Sequence, residues 1–479
     1  MRRLLIIILC TCALASCREY QPSSDAGAKL TFSCDTLCFD TVLSEQGSAT
    51  LQLMVYNPNK EAVLIDRIWM DDGTAFKVNI DGEQDFSRLN DLPIYGGDSL
   101  FVFVKVADFG ATGFNETVLI EDRLHFHLHT GATHSVRLEA YSQDVKRLGV
   151  KGGRQQYRTY HFKAVKPYLL FDTVIVTGNV TIDAGSIIYM HRGAALYVGG
   201  DLTAIGTKER PIIIRGDRLD RLFDSVPYLY AAGSWDGIYL QAELPRTYQL
   251  QYVDILSGNV GLYAYSTCSN RLPKLSMNGC RIHNHSLYGL VLVNTDAIVV
   301  NSEISNCASY CVYCSGGKHD FIHSTIASYF GHTTIRIQSV AKEDAAAVFI
   351  ENLQKNTPKT NTSFYNSIIT GYQNNQLVVA TPFDQYYPGI FLGNYLKTDT
   401  LHIPHAEGNV YWQKNDTDAV FRNDFYEYKK YVYYDFRLDS LSPAIGIGDS
   451  LTAVSYPTDR NGLSRALQKP DAGCYQSEY

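Results

Sequence analysis

Two groups of side chains in this sequence have the types and spacing to do chemistry. The first lies in SNCASYCVYCSGGKHDFIH, residues 305–323, where Cys307, Cys311 and Cys314 precede His319 and His323. Thiolates and imidazoles at such short spacing are the ligands of zinc and iron–sulfur sites. The second is a set of charges, Asp254, Arg281 and Glu303. Two carboxylates flanking a sugar can serve as general acid and base, and an arginine between them can hold a substrate carboxylate. For a lyase, a basic group such as Arg281, His283 or Lys318 would instead remove a proton beside a neutralised uronate. Whether either set converges depends on the elements that carry it.

Those elements are strands with a fixed repeat. NVTIDAG from Asn179 and DLTAIGT from Asp201 are offset by 22 residues, which lays Val176 on Val198, Val180 on Leu202 and Ile182 on Ala204. CRIHN at 280, SEISN at 302 and STIAS at 324 keep the same offset. They superpose Ile282, Ile304 and Ile326, and also Asn284, Asn306 and Ser328. A period in the low twenties made of strands and tight turns means a solenoid. The leucine consensus of leucine-rich repeats is absent. A right-handed parallel β-helix fits, with apolar ladders inside and a polar ladder at a turn. YVDILSG at 252 is an earlier copy. FYNSIITGY at 364 is a later one, and Ile326 to Ile368 spans 42 residues, close to two coils with AAVFIENL as the strand between.

In this frame Arg281, Glu303 and Thr325 superpose, with Asp254 one coil earlier. Coils stack about 4.8 Å apart, so Asp254 and Glu303 would be about 9.6 Å apart. That is at the long end of the range used by inverting glycosidases. The opposing reading pairs these charges with one another on an outer face. The cysteines fare worse as ligands. Cys307 falls over His285 and Tyr329, Cys311 over Gly289 and Thr333, Cys314 over Leu292 and Arg336, and none of these is a cysteine. Cys311 and Cys314, three apart in the strand YCVYCS, should point to opposite faces. They read as small wall residues, and neither a metal nor a cofactor is expected. The spacing C-x3-C-x2-C with Tyr313 resembles the cluster loop of radical S-adenosylmethionine enzymes. That resemblance implies a cytoplasmic α/β barrel, whose pattern this chain lacks.

Upstream the pattern differs. Residues 28–150 hold short runs of period-two alternation, among them TLQLMVYNP, AVLIDRIWM, SLFVFVKV and SVRLEAY, separated by turn compositions. They predict a β-sandwich. CFDTVLSEQGSATLQLMVYNPNKEAVLIDRIWM resembles the immunoglobulin-like domains at the front of Bacteroidetes lipoproteins. In HFHLHTGATH, His125, His127 and His129 would share one strand face. They could ligate a metal or simply line a solvated strand. The fold class expected is thus all-β: a sandwich, then a parallel β-helix with a closing segment over 166–479. The tripeptide Arg215–Asp217 reads RGD, but it follows the buried-looking strand PIIIR and is not expected on an exposed loop.

The first residues, MRRLLIIILCTCALASC, give a basic start, a short apolar run and a small-residue end, which is a secretory signal over 1–17. LASC resembles the lipobox of bacterial lipoproteins. That implies lipidation of Cys17, a membrane partner through the acyl chains and, with Arg18 next, the outer membrane; which face stays open. Residues 18–27 read as a flexible tether. Acidic residues number 49 against 42 basic, with no long basic block, so nucleic acid is not an expected partner. Of the eleven cysteines, eight remain after Cys10, Cys12 and Cys17. Cys34 and Cys38 on an extended strand would lie about 13 Å apart, too far to pair. Cys268 and Cys280, flanking a loop-like stretch, are the better candidate disulfide. There are 34 tyrosines and only 5 methionines. Tyr263, Tyr265, Tyr288, Tyr310 and Tyr313 are candidates to stack on sugar rings.

GNVTIDAGSIIYMHRGAALYVGGDLTAIGTKERPIIIRGD with GSWDGIYL resembles the β-helix lipoproteins of Bacteroidetes. YYDFRLDSLSPAIGIGD, DRNGLSR and KPDAGCY resemble the closing segment of pectin-lyase-like β-helices. The resemblance implies architecture more than activity, because the fold hosts lyases, hydrolases, epimerases and adhesins. Neither the paired aspartates of polygalacturonases nor the calcium-binding acidic set of pectate lyases is visible. The expected role is a lipid-anchored cell-envelope protein, binding or structural, that recognises a glycan or envelope polymer along the helix. The alternatives are a polysaccharide lyase or glycoside hydrolase using Asp254, Arg281 and Glu303, and a protein-binding adhesin. Oligomeric state is open.

Overall fold

The computed structural model describes residues 22–44, 46–107, 113, 116–223, 226–268, 271–330, 335–336, 346–351, 359–380, 389–398, 406–411, 419–424 and 434–478. The expected signal over 1–17, with Cys17, and residues 18–21 of the expected tether lie outside them. The chain divides into two compact units, Met1–Asp144 and Val145–Tyr479.

The first unit is the expected sandwich. One sheet takes Thr31–Phe32, Leu51–Tyr56, Ser99–Val106 and Phe76–Ile80 in that order. The other takes Thr36–Leu43, Thr133–Gln143, Val118–Leu128, Val63–Met70 and Leu92–Ile94. Alternation along each strand puts one side chain in two into the shared core, where Leu53, Ile65, Val102, Phe126 and Leu138 are fully buried. The three histidines share the outer face but do not converge. His125 meets Asp71 at 2.9 Å, His127 meets Thr133 at 2.8 Å and His129 meets Asp66 at 3.1 Å.

The second unit is a parallel β-helix whose coils contribute to three long sheets. The first sheet has 11 strands, among them Val253–Leu256, Arg281–His285, Glu303–Cys307 and Thr325–Ser328. The second has 9, among them Ala195–Val198, Gly237–Ala242, Val260–Ser266, Tyr288–Val293, Tyr310–Ser315 and Val348–Ile350. The third has 10, among them Lys274–Asn278, Asp296–Val300 and Gly317–Ile322. The register read from the sequence holds for Val180 on Leu202, Ile282 on Ile304, and Ile304 on Ile326. The core is continuous from Leu148 to Leu396.

Three expectations need correction. The solenoid starts at Lys146, not near 166. Lys146–Leu148, Arg154–Tyr157 and Tyr160–Phe162 pair in parallel with the next coil. Their strands are short and partly polar, so they read as the sandwich's end and a linker. Second, Ile326 pairs with Ile369, so the 42-residue gap is one coil and not two. Val348–Ile350 belongs to that same coil, which long insertions on either side inflate. Third, Cys311 and Cys314 do not point opposite ways, since both are fully buried in the core. Alternation fails there because Tyr310 and Val312 pair with Tyr288 and Leu290 while Cys311 and Gly289 are passed over.

Corners are set by left-handed residues. Gly279, Asn301, His323, Asn366 and Gly393 have φ of 65°, 47°, 46°, 48° and 67°, one per coil where the third sheet turns into the first. Asparagine tolerates this conformation better than most residues. At the next corner Asn284 and Asn306, with φ of 65° and 58°, form the expected ladder, Asn306 Nδ2 donating to Asn284 Oδ1 at 3.1 Å.

Candidate functional site

The outer face of the first sheet carries the predicted charges in the predicted column. Asp254 pairs with Arg281, and Arg281 with Glu303. What the repeat could not reveal is the C-terminal segment that lies over them. Arg281 Nη2 donates to Asp254 Oδ2 at 3.0 Å, and Arg460 Nη2 from the segment donates to Oδ1 at 2.8 Å. Tyr475 Oη donates to Glu303 Oε2 at 2.6 Å, while Ser305 Oγ donates to Oε1 at 2.8 Å. Asp254 is 8% and Glu303 5% exposed. Burial, the largest influence on Arg281, pulls its pKa down, but Asp254 and Glu303 leave it raised. Burial also acts first on Arg460, and there Tyr475 and Asp254 outweigh it. Both carboxylates are thus held by internal partners.

The segment is anchored by more than these charges. Arg465 Nη2 donates to Asn301 Oδ1 at 2.7 Å, Asn366 Nδ2 to the Asp449 carbonyl at 2.9 Å, and the Cys474 amide to Thr325 Oγ1 at 3.1 Å. The corner residues of the coils are therefore also the docking points of the segment.

Beside the cluster is a cavity of about 340 Å³. Its floor is Arg281, His283 and Glu303, one wall is Tyr434–Arg437 with Asn461 and Tyr475, and the other is Leu229 and Tyr230 from the insertion after the RGD tripeptide. The short turn Tyr228–Tyr230 is tied down because Asn284 Nδ2 donates to the Tyr230 carbonyl at 3.0 Å and Ser257 Oγ donates to the Leu229 carbonyl. His283 Nδ1 is 2.8 Å from Ser305 Oγ, whose own proton goes to Glu303, so Nδ1 carries the hydrogen. Burial, then Arg281, lower the His283 pKa to about 3, keeping the ring neutral. The RGD residues are not a recognition loop: Asp217 is buried and bonds His191 at 2.5 Å.

The second sheet carries the aromatic residues. Tyr197, Tyr239, Tyr263, Val291, Tyr313 and Phe349 follow one another in register. Tyr288 and Tyr310 pair beside them. Of the five tyrosines named from the sequence, Tyr263, Tyr288, Tyr310 and Tyr313 share this strip. Tyr265 lies at its edge, lining a groove of about 480 Å³ with Tyr197, Glu243 and Arg246. Sequence reasoning missed Tyr197, Tyr239 and Phe349. The signal was an aliphatic–aromatic pair in strand after strand: LY, IY, LY, VY and VF.

Ring orientation changes what the strip can do. Tyr197 and Tyr239 stack at 4.7 Å and 13°, and Tyr310 and Phe349 at 4.7 Å and 28°. In these two pairs the rings, piled along the solenoid axis, cover one another's faces, while Tyr239 and Tyr263 are tilted by 38° at 6.0 Å. At Tyr197–Tyr239 and Tyr310–Phe349 what faces outward is therefore ring edges and phenol hydroxyls, whereas Tyr265 is 39% exposed. Burial raises the pKa of Tyr197, Tyr263 and Tyr310, whose hydroxyls stay protonated. Tyr313 instead donates to Glu351.

Cys307, Cys311 and Cys314 are packed in the apolar core of the coils. Burial pushes Cys307 and Cys314 well above the ordinary thiol range and Cys280 to about 12. Thiols so held are poor metal ligands. Among the described residues no three His, Cys, Asp or Glu side chains are grouped to hold a metal. Cys268 and Cys280 are both free thiols rather than the expected disulfide. Cys280 is packed inside the coils beside the Asn278 carbonyl, and Cys268 is half-buried near the Ala242 carbonyl on a different corner.

No family model matches the chain, and no curated protein matches it. Among solved structures, the ASH/PapD-like domain 7 of human CEP192 is similar at 13% identity, covering 27% of this chain and 96% of that one, with a TM-score of 0.18.

Proposed function

We propose that this is a lipid-anchored protein of the bacterial cell envelope, held on the outer membrane through Cys17, whose β-helix binds a glycan or envelope polymer. The observation that carries the reading is the strip on the second sheet. An aromatic side chain stands on each coil from Tyr197 to Phe349, on coils about 4.8 Å apart, and most of these rings carry a phenol hydroxyl, which suits a polymer with a regular repeat of hydroxyl groups. Where rings are stacked, at Tyr197–Tyr239 and Tyr310–Phe349, contact is through ring edges and hydrogen bonds. The groove beside Tyr197 and Tyr265 extends the strip toward Glu243 and Arg246. Catalysis is the weaker reading, since Asp254 and Glu303 are fully engaged by their own neighbours.

The test is retention of the protein on a panel of neutral and acidic polysaccharides, with new reducing ends and unsaturated uronates followed in parallel. Retention lost in Tyr288→Ala/Tyr310→Ala, without turnover, supports the reading. Turnover that disappears in Glu303→Gln would replace binding by catalysis. Attachment only to protease-sensitive targets would replace it by a protein partner. Anchoring is tested separately: Cys17→Ser should move the protein from the membrane to the soluble fraction.

A further inference from the structure

The cavity on the first sheet lies on a different face from the aromatic strip, and its chemistry specifies a ligand. Its charges balance internally. Arg281 and Arg460 stand against Asp254 and Glu303, Arg437 pairs with Asp435 at 2.6 Å, and Glu303 also accepts from Tyr475 and Ser305. With no excess of either sign, the cavity offers nothing to hold a phosphate, a polyanion or a cation. It offers instead directional hydrogen bonds between apolar walls. His283 is kept neutral with Nδ1 turned to Ser305, which leaves Nε2 as an acceptor available to the cavity. Asn461 contributes an amide and Arg437 a half-exposed guanidinium. Leu229, Leu256 and Phe436 line the rest. A volume of about 340 Å³ sits at the small end of ligand pockets, and it has room for one or two rings rather than an extended chain.

We propose that this cavity binds a single neutral pyranose, either a free sugar or the terminal unit of a glycan. A pyranose has the matching shape: an apolar ring face for Leu229 and Tyr434, which are partly exposed, and a rim of hydroxyls for His283, Asn461 and Arg437. The pocket is completed by the C-terminal segment, so only the closed solenoid carries it. It does not depend on the aromatic strip.

The test titrates neutral monosaccharides (glucose, galactose, mannose, rhamnose and N-acetylglucosamine) into the full-length protein in detergent, followed by saturation-transfer NMR. Oligosaccharides ending in the same units form the second arm. At least one sugar should bind, and Leu229→Trp, which fills the cavity from a partly exposed position, should weaken it tenfold or more. Asn461→Leu should also weaken it, with the melting temperature of each variant showing that the fold is kept. Tyr288→Ala/Tyr310→Ala should leave monosaccharide binding unchanged, so failure of the strip and failure of the pocket are read separately. Equal binding of monosaccharide and oligosaccharide points to a free sugar, and a preference for the longer ligand points to a chain end. No binding across the panel, or binding unaffected by Leu229→Trp, overturns the proposal.

Discussion

Replacing Asp254 by asparagine tests whether the charge column is architecture or machinery. The carboxylate sits 8% exposed between two guanidiniums, 3.0 Å from Arg281 and 2.8 Å from Arg460. Asparagine keeps the shape and removes the charge, which leaves both arginines with Glu303 as their one remaining named counter-charge. A third of the Arg281 side chain faces the cavity and can be rehydrated there, but Arg460 is only 16% exposed and cannot. Breaking a buried pair in this way costs about 3–5 kcal/mol. The solenoid unit has roughly 335 residues, and at about 2.1 cal/mol/K per residue its unfolding entropy is about 0.7 kcal/mol/K. If it melts as one unit, the melting temperature should fall by about 4–7 °C. Solenoids also unfold from their ends, so circular dichroism should be joined by hydrogen exchange. Amides of the docked segment, such as Cys474, should lose protection before those of Ile282 or Ile304. Replacing the whole cluster (Asp254→Leu, Arg281→Met, Arg460→Met) should recover most of the loss, because a buried triad is often matched by apolar residues of similar volume. A shift below about 1 °C for Asp254→Asn, with an unchanged exchange pattern, would refute the structural reading and return the column to candidacy for chemistry.

Burial lowers the pKa of His283 and His285 to about 3, His319 to about 4 and His323 to about 2. The unfolded chain takes up these protons near pH 6.5 and the folded chain does not, so stability is full above that pH and declines below it. Each histidine contributes a loss of about 1.4 kcal/mol per pH unit until its folded value is reached. Melting temperature should fall steeply from pH 7 to pH 5, and a flat profile would contradict it. Asn306→Ala removes the rung to Asn284 at a left-handed position and should cost about 1–3 kcal/mol in urea unfolding. Asn306→Gly should recover only the backbone part. Gly289→Ala would place a Cβ 2.6 Å from the Cys311 carbonyl and 2.9 Å from Ile304 Cγ2. It should lower the yield of folded protein, whereas Gly97→Ala, with open space around it, should show only its backbone strain.

Much of the architecture was legible because the coil repeat acts on the sequence directly. A side chain in a parallel β-helix has the same surroundings as its copy one coil away, so Ile282, Ile304 and Ile326 had to be alike, and their spacing alone gives the length of a coil. The same logic placed Asp254, Arg281 and Glu303 in one column. It failed wherever a feature is not repeated. The first coil is too polar to resemble its successors, the coil after Ile326 is swollen by insertions, and the bulge at Cys311 breaks alternation in a way spacing cannot show.

The candidate sites mark the same boundary. A column of charges reads identically whether it faces solvent, substrate or another part of the chain. Arg460 and Tyr475 decide among these, and they lie 206 and 172 residues from the partners they bond. No local pattern links such positions. The aromatic strip was missed in part for the opposite reason: Tyr197, Tyr239 and Phe349 do repeat, but long insertions separate them, so the period that exposes the first sheet is masked on the second. What the sequence could not supply at all was ring orientation. Tyrosines with open faces would grip sugars by stacking, whereas tyrosines stacked on one another offer edges and hydroxyls. In the cavity, Leu229 and Tyr434 stand beside the neutral His283, Asn461 and Arg437, groups that can read hydroxyls one at a time.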